Sequence, residues 1–84
     1  MSFRSPPLGT IKKGAGARPW YRISGGADVG ALYAMADPQN PDAVLAVDYQ
    51  TKRRESDGTI TYLVSVRNIG PVDTEYRLIG GGLT

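Results

Sequence analysis

The fold is decided by Val44–Arg67, which reads VLAVDYQTKRRESDGTITYLVSVR. Apolar and polar residues alternate on both sides of Asp57-Gly58, with Leu63 as the exception, and this is the period of a strand with one buried face. Asp-Gly between two such runs indicates a hairpin, because both residues tolerate a positive φ. The stretch therefore predicts antiparallel strands over 44–54 and 59–67, joined by a turn.

Three further strands are predicted outside this hairpin, at 20–24, 31–36 and 74–79. The run 31–36 could also form a helical turn, but its shortness and the nearby Gly30 and Pro38 favour a strand. The last three strands should form an antiparallel meander, and Gly80–Gly82 should end the ordered structure or make a tight crossing. The predicted inward-facing residues are Leu45, Val47, Tyr49, Ile60, Tyr62, Val64, Val66, Tyr76 and Leu78.

The chain divides into an arm and a single domain. Residues 1–19 contain three prolines and few apolar side chains, so they are predicted to be a flexible basic arm, or one that orders on a partner. Residues 20–84 are predicted to form a single β-domain. The expected fold is all-β, a small antiparallel five-stranded sandwich or partly open barrel.

Charge is distributed unevenly along the chain. Residues 1–22 contain five basic and no acidic side chains, whereas residues 23–84 contain five basic and eight acidic ones. The arm should therefore attract anions or the acidic body of a neighbouring copy. The arm residues predicted to bind a partner are Arg4, Lys12, Lys13 and Arg18.

The composition excludes several kinds of chemistry. The chain has no Cys and no His, which excludes zinc, copper or haem held by thiolate or imidazole, as well as Ser–His and Cys–His catalytic pairs within one chain. Gly25-Gly26 and Gly80–Gly82 lack the Lys-Ser/Thr of a phosphate-binding loop. The sequence predicts no catalysis, no cofactor and no metal. A calcium site of unfamiliar spacing is the one metal alternative, with ligands Asp37, Asn40 and Asp42.

Two groups of residues are candidates for binding. Lys52-Arg53-Arg54 lies at a strand end, where it either discourages edge pairing or contacts phosphates. The aromatic residues Trp20, Tyr21 and Tyr33 either cover the core or form a platform for a sugar, a base or a partner chain. Carbohydrate binding would also need a polar cluster, for which the candidates are Gln39, Asn40 and Asp42.

The segment Gly58–Gly70, GTITYLVSVRNIG, resembles a strand-and-turn pattern of bacterial immunoglobulin-like modules. In that pattern alternating core residues lead into Asn and Gly where the backbone turns. The resemblance implies a β-sandwich used as an adhesive or spacer unit without catalysis.

The sequence leaves three functional hypotheses. The first is a protein-interaction or assembly module that self-associates through its arm or a sheet edge; the others are a nucleic-acid-binding protein and a small carbohydrate-binding domain. No apolar run is long enough to span a membrane, and the first residues lack the apolar core of a signal peptide. We expect a cytoplasmic location, although a fragment of an exported or particle protein would read the same way.

Overall fold

The computed structural model describes residues 2–82, for Gly82 only its backbone, so Met1 of the predicted arm and Leu83-Thr84 of the predicted domain lie outside it. The described chain contains strands and no helix, which confirms the all-β prediction, but the predicted number of five strands is too low, because residues 2–17 add three short strands. Its eight strands are β1 Ser2–Arg4, β2 Gly9–Ile11, β3 Gly16–Ala17, β4 Trp20–Tyr21, β5 Leu32–Pro38, β6 Leu45–Arg54, β7 Ile60–Asn68 and β8 Thr74–Gly82.

The strands form two antiparallel sheets that have the same plan. In sheet A the central strand β8 pairs with β5 on one side and with β1 and β2 on the other. In sheet B the central strand β7 pairs with β6 on one side and with β3 and β4 on the other. The sheets do not close into a barrel, so the sandwich-like alternative is confirmed.

The predicted meander is wrong in its last step. β6 pairs with β7 as expected, but β8 belongs to the other sheet. Apolar residues of β7 and β8, such as Val64, Val66, Tyr76 and Leu78, are all buried in one core cluster. The two strands therefore pack face to face across the sandwich, because each has one mainly apolar face to cover and an edge-paired meander would leave both faces open.

The predicted flexible arm is also wrong, since its residues belong to both sheets. We call Ser2–Tyr21 the N-terminal ribbon: its first half pairs with β8 and its second half pairs with β7. Strands of two or three residues are too short to show a period of two. β1, β2 and β3 escaped prediction because long central strands, rather than their own sequence, hold them in place, whereas β4 lies within the predicted strand 20–24.

Prolines interrupt the ribbon at positions on the sheet edges where no backbone N–H is needed to pair with the central strand. Pro6-Pro7 separates β1 from β2, while Ser5 and Leu8 on either side donate their N–H groups to β8 carbonyls at 2.8 and 2.9 Å. Pro19 separates β3 from β4 and accepts a 3.0 Å hydrogen bond from Val64 N–H. Proline lacks an N–H and is tolerated at a sheet edge for this reason.

The 55–59 turn has the predicted form, and a bulge alters one strand beyond it. Gly58 has a φ of 89°, and Glu55 N–H donates to Thr59 O at 2.8 Å. In β6 the register slips between Val47 and Tyr49, so Tyr49 turns to the outer face and is 44% exposed. The predicted inward position of Tyr49 is wrong because an extra residue in a strand reverses every later side chain.

The glycines near the chain's end continue β8 instead of ending it. A Cβ on Gly80 would lie within 2.9 Å of the Phe3 ring and closer still to the carbonyl of Tyr33. Phe3 thus covers a glycine of the central strand, and its ring centroid lies 5.2 Å from that of Tyr21, which stacks at 5.4 Å on Tyr62. Such aromatic cover of a strand glycine supplies the packing that the missing side chain cannot.

Asn68 joins three parts of the molecule at the end of β7. Its side chain is buried and its Nδ2 donates to Ile11 O at 3.0 Å and to Val72 O at 2.9 Å. Its Oδ1 accepts from Gly70 N–H at 3.1 Å. The Asn-x-Gly turn therefore also ties the ribbon to the crossing between the sheets.

Candidate interaction surface

The outer face of sheet B carries the best candidate site, and we call it the tryptophan face. It consists of the outward side chains of β4, β6 and β7 around a row in which Trp20 lies opposite Leu63, and Leu63 opposite Thr51. Successive side chains of a strand point to opposite faces. Tyr21 and Tyr62 therefore point into the core while Trp20 and Leu63 point to water.

Trp20 is 65% exposed although it lies within a paired strand. Beside it is a shallow cavity of about 250 Å³, lined by Trp20, Arg22, Thr51, Arg53, Thr61 and Leu63. Trp20 and Leu63 provide apolar walls, and the two threonines provide hydroxyl groups. The cavity combines an apolar surface with a few polar groups, as small binding clefts do.

Arginines surround this cavity, and they differ in their partners. Arg22 has its Cζ 5.9 Å from the centre of the Trp20 ring, and its Nε donates to Thr61 Oγ1 at 3.2 Å. Arg53 Nε donates to Glu55 Oε1 at 2.8 Å, and this hydrogen bond is the main reason why the pKa of Glu55 is lowered. Among residues 2–82, Arg22 makes no ion pair.

Farther along the same face, Arg67 and Asp48 neutralise each other. The guanidinium donates from Nε and Nη2 to the two carboxylate oxygens at 3.1 and 2.9 Å. This bidentate bond raises the pKa of Arg67 above its ordinary value. Asp48 is the extra residue of the bulge and lies directly after the inward-facing Val47, so its side chain is on the outer face together with that of Arg67.

The predicted partner-binding residues of the arm are not brought together. Arg4 lies on β1 at the edge of sheet A, whereas Lys12 and Lys13 lie in the turn between the sheets. Lys13 contributes a backbone bond to that turn, from its N–H to Asp73 Oδ1 at 2.8 Å. Arg18 lies between β3 and β4, near the tryptophan face. The four residues therefore mark three separate places on the molecule.

The basic run Lys52-Arg53-Arg54 is divided between two faces of β6. Lys52 Nζ and Arg54 Nη2 both bind Asp28, at 2.7 and 2.8 Å. Hydrogen bonds from Lys52, from the backbone of Gly30 and from Arg54 hold the pKa of Asp28 well below its usual range. Only Arg53 faces the cavity beside Trp20, so the run is not a continuous anion site.

The three candidate aromatic residues also have different environments. Trp20 is on the outer face of sheet B, Tyr33 is 55% exposed on sheet A, and Tyr21 is half-buried in the aromatic stack. Burial raises the pKa of Tyr21, and the nearby Tyr62 raises it further. Tyr21 and Tyr33 line a second cavity of about 310 Å³ between β5 and β6, which Trp20 does not reach.

The predicted polar cluster for a sugar lies away from Trp20. Gln39 and Asn40 donate their N–H groups to Thr74 Oγ1 at 3.1 and 3.0 Å, in the loop after β5. Neither these residues nor Asp42 lines the cavity beside Trp20. The cluster of acidic ligands that a metal would need is not found within the described part of the chain.

Sequence reasoning missed four residues of the cavity, namely Arg22, Thr51, Thr61 and Leu63. One signal for them was present, because Leu63 is an apolar residue at an outward position of a strand that otherwise alternates. Pairing it with Trp20 required the register of β4 on β7. Trp20 and Tyr21 were predicted to lie in a strand, but the strand beside them and its register could not be predicted.

No protein-family model matches the chain, and no similar protein was found among curated proteins or solved structures. The resemblance of Gly58–Gly70 to immunoglobulin-like modules therefore stays a prediction. No helix within residues 2–82 has the length and apolarity to cross a membrane.

Proposed function

We propose that the chain is a non-catalytic protein-interaction module that binds its partner through the tryptophan face. The observation that carries this proposal is Trp20, 65% exposed in a paired strand beside Leu63. An exposed indole contributes little to folding. Tryptophan and arginine are the residues that most often carry binding energy at protein interfaces, and exposed apolar patches mark such surfaces.

The sheet edges are less suited to binding a partner than the tryptophan face is. Pro6-Pro7 and Pro19 interrupt the ribbon edges, and Lys52–Arg54 places charge on β6. The other edge strands are β5 of sheet A and β6 of sheet B. Gln50 Oε1 on β6 accepts a hydrogen bond from the N–H of Ala34 on β5 at 2.9 Å and so bridges these two edges. Proline, short strands and charge all discourage strand addition. These features favour binding by a face over self-association by an arm or an edge.

A display experiment tests the proposal without a known partner. Random peptides would be panned on the full chain and then measured on Trp20→Ser and on Met35→Ser. Met35 is 69% exposed on sheet A, so its replacement removes a similar apolar surface from the opposite face. We expect selected peptides to lose at least about tenfold in affinity on Trp20→Ser and to keep it on Met35→Ser. Selected peptides that bind both variants equally would contradict the proposal.

Single-stranded nucleic acid is a second candidate, supported by Trp20 lying between the exposed Arg18 and Arg22. Base stacking on an aromatic ring flanked by cations is a common mode of such binding. Titration of the full chain with oligothymidylate at two salt concentrations tests it. Binding that quenches Trp20 fluorescence and weakens steeply with salt would favour this candidate over a protein partner.

A further inference from the structure

We infer that the tryptophan face recognises an acidic peptide segment with one apolar anchor side chain. This inference rests on the proposed function and adds the chemistry of the partner. The anchor occupies the cavity between Trp20 and Leu63, and a neighbouring carboxylate of the segment binds the guanidinium of Arg22.

The cavity fits one side chain and little more. Its volume of about 250 Å³ is below the roughly 300–1,000 Å³ of pockets that hold drug-sized ligands. The wall formed by Trp20 and Leu63 is apolar, which favours a leucine-sized or phenyl side chain. Thr51 lies across the same space and can hydrogen-bond the backbone of a segment that crosses the sheet. Thr61 is only 8% exposed, and its hydroxyl oxygen already accepts the Nε–H of Arg22.

The charges around the cavity favour a bound segment with negative charge. Arg53 is bound to Glu55, and Arg67 is bound to Asp48. Arg22 donates through Nε to the hydroxyl oxygen of Thr61 and makes no ion pair within residues 2–82, although its charge helps to lower the pKa values of Glu55 and Asp57. A guanidinium whose terminal nitrogens form no ion pair is suited to a bidentate bond with an incoming carboxylate.

The same charges disfavour a polyanion. A nucleic-acid strand brings one phosphate for each nucleotide and needs a continuous basic track. Glu55 and Asp48 interrupt the tryptophan face with negative charge, and Asp28 holds Lys52 and Arg54 on the opposite side of β6. One or two carboxylates match the remaining cations better than a row of phosphates does.

The test uses three synthetic peptides and the full chain. Glu-Glu-Leu-Glu-Glu should bind, with a dissociation constant of about 100 μM for so small a contact. Lys-Lys-Leu-Lys-Lys and Glu-Glu-Ser-Glu-Glu should each bind at least about tenfold more weakly, because the first repels Arg22 and the second lacks the anchor. Trp20 fluorescence reports all three titrations.

Two matched variants test whether a carboxylate of the peptide binds Arg22. Arg22→Gln should weaken binding of the acidic peptide by about tenfold. Arg4→Gln, which removes the same charge from sheet A, should leave binding unchanged. An unchanged affinity in Arg22→Gln, equal affinity for the serine peptide, or tighter binding of oligothymidylate than of the acidic peptide would overturn the inference.

The proposed function and this inference can fail separately. If display selects neutral or basic peptides whose binding depends on Trp20, the face is a protein-binding surface and only the acidic-segment inference is wrong. If no selected peptide depends on Trp20, both are wrong.

Discussion

The N-terminal ribbon and the β6–β7 hairpin are built from different kinds of contact. The hairpin pairs neighbouring residues around a five-residue turn, and its long strands alternate visibly in the sequence. The ribbon pairs residues that are far apart along the chain, such as Phe3 with Gly80 and Trp20 with Leu63. Both segments form β-sheet, but only the hairpin can be predicted from its own residues. Its strands are long enough to show alternation of apolar and polar residues, whereas the ribbon's short strands are held by the long strands with which they pair.

The difference also determines where function can lie. A free basic arm would be available to a partner, whereas a ribbon paired with both central strands is already bound within its own chain. The exposed groups that remain are outward side chains such as Trp20. If the ribbon is as much a part of the fold as the hairpin, its removal should unfold the chain, and single substitutions in its contacts should lower the free energy of unfolding.

Removal of residues 1–19 should abolish the fold. The truncation removes β1 and β2 from sheet A and β3 from sheet B. It also takes away Phe3 and Ile11, of which Ile11 is 2% exposed in the core. A small domain has only about 5–15 kcal/mol of stability to lose. Circular dichroism and the dispersion of amide resonances should show an unfolded chain, and a synthetic peptide of residues 1–19 should restore the fold when added. A truncated chain that stays folded would mean that the ribbon is dispensable.

Asn68→Ala should lower the free energy of unfolding by about 2–4 kcal/mol. The change removes three hydrogen bonds of a buried side chain and leaves the carbonyls of Ile11 and Val72 unpaired, and each unpaired buried group costs about 1–3 kcal/mol. Denaturant unfolding measures the change. Asn40→Ala is the control, since its exposed amide donates only to Asp73 O; equal losses in the two variants would contradict the role of Asn68.

Phe3→Ala should cost about 2 kcal/mol, less than a fully buried phenylalanine because the ring is half-buried. It removes the cover of Gly80 and the contact with Tyr21. Leu8→Ala on the same ribbon is the control, because Leu8 is 39% exposed and should change stability by less than about 0.5 kcal/mol. If Phe3→Ala unfolds at the same denaturant concentration as the native chain, the aromatic stack does not stabilise the fold.

Protonation of Asp28 should slightly lower the stability of the fold at acid pH. Its pKa is lowered in the folded chain by Lys52 and Arg54, so its contribution is complete above the unfolded value near 4 and is lost as pH falls below it. Asp28→Asn should therefore flatten the fall in melting temperature below about pH 4. Asp42→Asn, at a carboxylate that makes no ion pair within residues 2–82, should leave that fall unchanged, and identical curves for all three proteins would refute the role of Asp28.

Much of the hairpin could be predicted from the sequence, but only part of the candidate site could. The turn at Asp57-Gly58 and the strand of 31–36 follow from local residue chemistry, and both are confirmed. The crossing of β8 to the other sheet could not be read, because alternation identifies the buried face of a strand but not the strand beside it. Trp20 was a candidate because it opens a predicted strand beside Tyr21. Its exposure depends on which of Trp20 and Tyr21 faces the core, and that is fixed by the register of β4 on β7.

Native-state hydrogen exchange on the full chain tests most directly whether the ribbon is part of the fold. The N–H groups of Ser5, Leu8 and Gly14 donate to carbonyls of Leu78, Tyr76 and Asn68. We expect these amides to exchange nearly as slowly as those of β7, because they open only when the sheets open. Exchange at the rate of an unstructured peptide, while β7 stays protected, would contradict it and return the ribbon to the role of a free arm.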